Sequence, residues 1–296
     1  MFSRQPLAKR ADQAGGCRGT RGLHRELGAL EEQRQRPAEF VVVHQHQVIQ
    51  IPAAQRIAAC RAEAAFEPKS VRARLEYGWA LVESHRFPES LAEFEAALRL
   101  DPPNPEAQYG KAMALEATGT NEEAAKSYRL VLRHQSDDVG ALLGLARTLG
   151  ALGQHEAAVA SAREAVKAAP EDAGTHYTLA VGLLQLGRTG ESVGALKEAA
   201  RLAPRDAQVQ FQLGAALQKL QKFGDAFAAF QASARIDSTN PAAWGALGLT
   251  AAQLHRPTDA AGYWDRALQL DSAYFATRPE ERSVRDQIVS SLRASQ

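Results

Sequence analysis

PAAWGALGLTAAQLHRPTDAAGYWDRALQLDSAY, residues 241–274, decides how this chain is built. Stepped back in units of 34 residues, it is the last of six copies of one pattern. The eighth position of each copy is small: Gly78, Ala112, Ala146, Ala180, Gly214 and Gly248. So is the twentieth: Ser90, Ala124, Ala158, Ser192, Ala226 and Ala260. The eleventh is leucine in five copies, from Leu81 to Leu217, and Ala251 in the last. No insertion or deletion interrupts this register over residues 71–274. A period of this length is the mark of stacked supersecondary units rather than one globular core.

Each copy carries two amphipathic segments separated by turn formers, such as Thr118-Gly119-Thr120-Asn121 and His255-Arg256-Pro257. The copies run 71–104, 105–138, 139–172, 173–206, 207–240 and 241–274. Small side chains at the eighth and twentieth positions let two helices approach closely, within the roughly 8–10 Å of ordinary helix pairs. The space they leave is filled from the twenty-fourth position, by Phe94, Tyr128, Leu196, Phe230 and Trp264. The third copy departs, with Ala162 in that place and Gly140, Gly144 and Gly150 in its first helix.

Residues 1–52 read as a mostly disordered segment, rich in Arg, Gln and Gly at its start. Within it FVVVHQHQVIQI, residues 40–51, is β-branched and reads as a short strand ended by Pro52. It reads either as an edge that pairs with another chain or as no folded element. The six basic residues among the first 25, against Asp12 alone, overlap with a transit peptide in composition, though disorder is the plainer reading. GGCRGTRG, residues 15–22, lacks the Gly-Lys-Ser/Thr ending of a phosphate loop. A lead-in helix is expected over 53–68, and a capping helix over 276–294 with Val284, Ile288, Val289 and Leu292 on one face.

The net charge of +1 argues against a general nucleic-acid binder, whose basic field it lacks. No run of 18 apolar residues offers a membrane span. Cys17 and Cys60 match no metal or redox spacing, and they read as reduced thiols in a cytoplasmic setting. His44 and His46 stand two apart without a third ligand, and the other histidines fall at turns or surfaces. No catalytic motif, metal set or cofactor fingerprint is expected.

A unit of 34 residues with Trp244, Leu247-Gly248, Ala260, Ala267 and a proline after the second helix resembles the tetratricopeptide repeat family. The resemblance covers 71–274. It departs at Lys111, at His134, and at Ser136, Ser238 and Ser272 in place of proline. It implies an all-α solenoid, a right-handed superhelix of six helix–turn–helix units, with the C-terminal helix as its cap. It also implies that the first helix of each unit lines a concave groove for a protein or peptide.

On that resemblance the peptide-binding side chains are Leu75, Trp79, Tyr109, Met113, Leu143, Arg147, Tyr177, Val181, Leu184, Phe211 and Gln218. The competing reading is that they pack only against neighbouring helices. The Lys–Asn–Arg clamp of the family's chaperone-tail binders is absent, and so is the asparagine ladder of its glycosyltransferase-linked arrays, whose sixth position here reads Glu76, Gly110, Gly144, Thr178, Gln212 and Ala246. The function expected is that of a non-enzymatic scaffold holding an apolar or amphipathic protein segment. Two rivals stay open: a structural subunit that stacks in a larger complex, and a subunit that recruits substrate for a separate enzyme. No cofactor, metal or nucleic acid is expected, and the partner's identity and the oligomeric state stay open.

Glycine inside a helix costs about 1 kcal/mol relative to alanine. Amides of 139–172 are therefore expected to exchange with solvent deuterium faster than those of 105–138 and 207–240. Protection of 139–172 above all its neighbours in native-state exchange would overturn this.

Overall fold

In the computed structural model the described residues are 40–44 and 47–294, with side chains from residue 52 onward. The readings of residues 1–39, the Gly-rich stretch included, lie outside them. Among the described residues are fourteen helices. The first, α1 (Ala53–Phe66), precedes six pairs: α2 and α3 (Val71–Glu83, Phe87–Leu100), α4 and α5 (Pro105–Ala117, Asn121–His134), α6 and α7 (Val139–Ala151, His155–Ala168). The pairs continue with α8 and α9 (Ala173–Gln185, Thr189–Leu202), α10 and α11 (Ala207–Lys219, Phe223–Ile236), and α12 and α13 (Pro241–Gln253, Pro257–Leu270). The last helix is α14 (Pro279–Ala294). The architecture is an all-α helical repeat solenoid.

Local chemistry sets each boundary. The residue before every first helix is Ser70, Asn104, Asp138, Asp172, Asp206 or Asn240, and its side chain accepts a backbone N–H of the opening turn. Such caps contribute about 1 kcal/mol each. First helices end at a residue in the left-handed region, glycine at Gly119, Gly153 and Gly187, but His85, Gln221 and His255 in the other three repeats. There the backbone N–H of the next residue reaches back to an eleventh-position carbonyl, as from Arg86 to Leu81 at 2.9 Å.

The packing rule is tighter than the sequence pattern implies. A Cβ at Gly78 or Gly110 would come within 3.0 Å of the Phe94 ring, and one at Gly144 within 3.0 Å of the Tyr128 ring. The same holds for Gly214 against Phe230 and Gly248 against Trp264. Phe94 is thus seated between the eighth position of its own repeat and the sixth position of the next. Phe94, Tyr128 and Trp264 have no exposed surface, and Phe230 has almost none.

Residues 40–51 hold two strands, β1 (Phe40–His44) and β2 (Gln47–Ile51), paired antiparallel with Phe40 opposite Ile51. The run reads as one strand in need of a partner; its own second half supplies it. The helix after it keeps the 34-residue register, because α1 spans positions 17–30 of a unit that would run 37–70. Where the repeats carry Ser or Ala at the twentieth position and mostly Ala at the twenty-seventh, α1 carries Arg56, ion-paired to Glu83, and Glu63. Arg56 is buried, so its charge is met by Glu83 of the first full repeat instead of by solvent. Cys60 is buried and disulfide-bonded. The reduced-thiol reading, and the argument for a cytoplasmic setting drawn from it, lose their basis; Cys17 lies outside the described residues.

The chain divides after Ala168 into two compact units. Unit 1 holds repeats 1–3, with a core around Leu75, Trp79, Phe94, Tyr109, Tyr128 and Leu149. Unit 2 holds repeats 4–6, with a core around Leu196, Leu213, Leu217, Phe230 and Leu247. It closes on a second cluster in which Trp264, Tyr274 and Phe275 are covered by Val284 and Ile288 of α14. Tyr274 and Phe275, where the repeat register stops, are therefore core residues.

Glycines facing a ring and glycines facing open space should respond oppositely to a methyl group. Gly110→Ala is expected to cost about 1–3 kcal/mol through overpacking. Gly194→Ala, on α9 with nothing within 4 Å, is expected to stabilise by about 1 kcal/mol. Urea denaturation of the two variants separates them, and a like sign for both would break the packing account.

Candidate functional site

Inside each unit the first helices of consecutive repeats meet along positions 2, 5, 9, 12 and 13. In unit 1 the Trp79 ring lies 6.2 Å from the Tyr109 ring, and its Nε1–H donates to Glu106 Oε1 at 3.0 Å. Arg147 Nε donates to Glu116 Oε1 at 2.7 Å across the next seam. In unit 2 the Gln208 amide donates to Tyr177 Oη at 3.3 Å, and that of Gln218 to Gln253 Oε1 at 3.0 Å. Within each unit these positions form one continuous helix face.

The two units differ in how much of that face is available. Leu75, Trp79 and Tyr109 are only 8%, 6% and 7% exposed and belong to the core of unit 1. Trp79 packs edge-on to Phe94 at 5.0 Å, and Tyr109 edge-on to Tyr128 at 5.9 Å. Met113 and Leu143 are half-buried, and the Arg147 side chain is 53% exposed. In unit 2, Tyr177, Val181, Leu184, Phe211 and Gln218 are all half-buried. Phe211 rests on Phe230 with ring centroids 5.4 Å apart, so its inner edge is packed while its outer surface stays open.

Repeat 6 covers its own share of the face. Tyr274 lies over Gly245, at the fifth position, and Leu249, at the ninth, packs into the cluster that holds Val284 and Ile288. Tyr274 Oη donates to Glu281 Oε2 at 3.0 Å, and Arg278 stacks 4.3 Å above the Tyr274 ring. A cavity of about 520 Å³ opens beside this contact, lined by Leu249, Thr277, Arg278, Pro279, Glu280, Glu281 and Val284.

The charges of unit 1's face are answered from within the unit. Glu116 accepts both Arg147 and the Tyr128 hydroxyl, the latter at 2.6 Å. Burial, and then the negative charge of Glu116, push the Tyr128 hydroxyl far above its usual range. For Arg147 burial is a cost that the Glu116 hydrogen bonds and charge outweigh, so its pKa rises. Glu76 is the opposite case. Its side chain is 7% exposed and one oxygen is held by Arg72 at 2.6 Å, while Oε2 is buried without a hydrogen bond. Burial raises the Glu76 carboxyl above the ordinary value of 4.5, and Arg72 only partly offsets this. Glu106, Gln208 and Gln253 join the face as partners that the sequence reading does not include. Their common signal is a polar residue at the second or thirteenth position. Among the described residues no group of three or more His, Cys, Asp or Glu could hold a metal ion. No described helix is long and apolar enough to cross a membrane.

A family model for the tetratricopeptide repeat matches residues 52–105, 75–139, 143–207 and 177–241. No curated protein shows a significant match to the chain. Among solved structures, PilF from Pseudomonas aeruginosa is 18% identical with a TM-score of 0.62, over 73% of this chain and 99% of that one. MamA from Desulfovibrio magneticus RS-1 is 20% identical at a TM-score of 0.54, over 57% of this chain and 96% of that one. The Cut9–Hcn1 hetero-tetramer of the APC/C contains a chain 16% identical at 0.61, over 80% of this chain and 46% of that one. At these identities the likeness is one of fold alone.

The raised carboxyl of Glu76 has a defined consequence for stability. A folded-state pKa above the unfolded value contributes stability below the unfolded pKa, and that contribution is lost as pH rises through the folded one. Glu76→Gln is therefore expected to be more stable than the parent at pH 7. The gap should close as pH falls through the raised value of Glu76, and be gone below the ordinary carboxylate value of 4.5. Thermal melts across that range check it, and a gap that widens on acidification would reverse the assignment.

Proposed function

Because this chain belongs to the tetratricopeptide repeat family, whose members serve generally as protein–protein interaction scaffolds, we propose that it is a non-enzymatic adaptor holding a segment of another protein on the first-helix face of its repeats. The observation that carries this reading is the half-buried set Tyr177, Val181, Leu184 and Phe211. Tyr177, Leu184 and Phe211 pack against the core of unit 2 from one side, and with Val181 each keeps part of its surface open. Fully burying one such side chain contributes about 1.5–3 kcal/mol. A face already locked by packing loses little further side-chain entropy when a ligand arrives.

The binding surface lies chiefly in unit 2. Leu75, Trp79 and Tyr109 serve the partner only indirectly, by holding unit 1 rigid, while Met113, Leu143 and Arg147 offer it a smaller second surface. An amphipathic helix or an extended strand fits a face of this kind.

Tyr177→Ala/Phe211→Ala is expected to weaken capture of the partner by roughly 10- to 100-fold. Leu130→Ala, at an exposed position on α5, is the control and should have no effect. Quantitative mass spectrometry of proteins retained from cell extract makes the comparison. Equal recovery of the same proteins by all three forms would place the interaction elsewhere. Tyr109→Ala is unsuitable for this purpose, since truncating a core ring costs about 3–5 kcal/mol of stability by itself.

A further inference from the structure

The two faces differ in charge as well as in exposure. At positions 2, 5, 9, 12 and 13, repeats 1–3 place five charged residues: Arg72, Glu83, Glu106, Glu116 and Arg147. The same fifteen positions of repeats 4–6 place one, Lys219. They carry instead four glutamines, Gln185, Gln208, Gln218 and Gln253. Resting on the reading above, we propose that the face of repeats 4 and 5 takes an uncharged, extended peptide segment, with Gln208 and Gln218 reading its main chain and Tyr177 and Phe211 supporting an apolar side chain.

The chemistry of the glutamine side chain carries the first half. A primary amide offers two N–H donors and a carbonyl acceptor, the same groups that a peptide bond presents. It can therefore bond to main chain whatever the ligand's side chains are. A charged ligand residue would give up hydration on this face and find no countercharge except at Lys219, a net cost. The glutamines' own bonds leave capacity. Gln208 is exposed, and its side-chain amide donates to Tyr177 at 3.3 Å, at the long end for a hydrogen bond, which leaves the side-chain carbonyl available.

Spacing carries the second half. Gln208, Phe211, Ala215 and Gln218 follow one another at steps of three, four and three on α10, and so lie on one stripe. Ten residues of helix put the two glutamines about 15 Å apart. An extended chain covers that distance in about five residues. A ligand running along α10 thus meets an amide at each end and the Phe211 ring between them, with Tyr177 reached across the seam to α8. On α12 the fifth and ninth positions, Gly245 and Leu249, are covered by Tyr274 and α14, which sets the limit of the site.

The probe is a positional-scanning library of N-acetylated, C-amidated octapeptides, bound to the full chain. The expected outcome is selection of residues without charge, and an affinity for the best octapeptide that changes less than about twofold across a tenfold range of salt. Gln208→Glu/Gln218→Glu, isosteric and on half-buried or exposed side chains, is expected to weaken that octapeptide about tenfold or more with the thermal midpoint unchanged. N-methylation of the octapeptide's central amides should do the same.

Selection of acidic or basic octapeptides whose binding is lost in Tyr177→Ala/Phe211→Ala would overturn this proposal and leave the adaptor reading standing. Unchanged affinity in the Gln→Glu variant, or in the N-methylated peptides, would overturn the main-chain readout alone. Octapeptides that bind the Tyr177→Ala/Phe211→Ala variant as tightly as the parent, or a library from which nothing binds, would overturn both.

Discussion

Three of the six helix pairs, in repeats 1, 5 and 6, are spaced by an aromatic ring pressed against a glycine backbone. Where the second helix carries a ring at the twenty-fourth position, the first helix carries a residue small enough to lie under it. At Gly78, Gly214 and Gly248 even a methyl group is excluded. The constraint does not stop at the repeat boundary, since Phe94 and Tyr128 also press on Gly110 and Gly144 of the following repeats. A contact shared by neighbours links repeats one to the next, which is why stability in such arrays is close to a sum of unit and interface terms. Repeat 3 shows the alternative. With Ala162 in place of the ring, no large side chain needs a bed, and the core built on Phe94 and Tyr128 goes no further than Ala158.

The same rings support the face that a ligand would meet. Trp79 stands on Phe94, Tyr109 on Tyr128, and Phe211 on Phe230. Side chains at the fifth and ninth positions thus have one surface in the core and one directed away from it. How the two surfaces are shared differs between units. In unit 1 the aromatic residues of neighbouring repeats close on each other, Trp79 on Tyr109, and little is left open. In unit 2 the residue that stands to Phe211 as Trp79 stands to Tyr109 is Val181, too small to cover the ring. Packing quality and ligand access compete for the same rings, and the sequence settles the competition oppositely in the two units.

Most of the fold was legible because its signals are local and repeated six times. Small residues at two positions, a large one at a third, and a capping Ser, Asn or Asp at a fourth each act within a few residues of themselves. What escaped reading depends on chain segments outside the period. The burial of Tyr274 and Phe275 is set by α14 folding back onto repeat 6. The pairing of Phe40 with Ile51 is set by a reversal within a run that looks continuous. The lead-in helix was legible but its full register less so, because Arg56, buried against Glu83, and Glu63 stand where the pattern demands small apolar residues. The candidate face was legible in position but not in exposure: Trp79 and Val181 occupy equivalent sites, and only their neighbours show that one is core and the other half open.

Charge completes the contrast. A charged group on a protein–protein surface has to be paid for in desolvation unless a partner is already in place. Unit 1 meets that requirement internally, Glu116 serving both Arg147 and Tyr128, so its face presents a finished network rather than vacant charges. Unit 2 meets it by leaving charge out. Its polar groups are amides that bond to each other, Gln218 to Gln253, at little cost to exchange for a ligand. A face that is apolar at the centre, amide-edged and nearly uncharged favours ligands through shape and main-chain hydrogen bonds. Long-range steering by charge would contribute little to association there, and discrimination would rest on rejecting charged side chains rather than on attracting them.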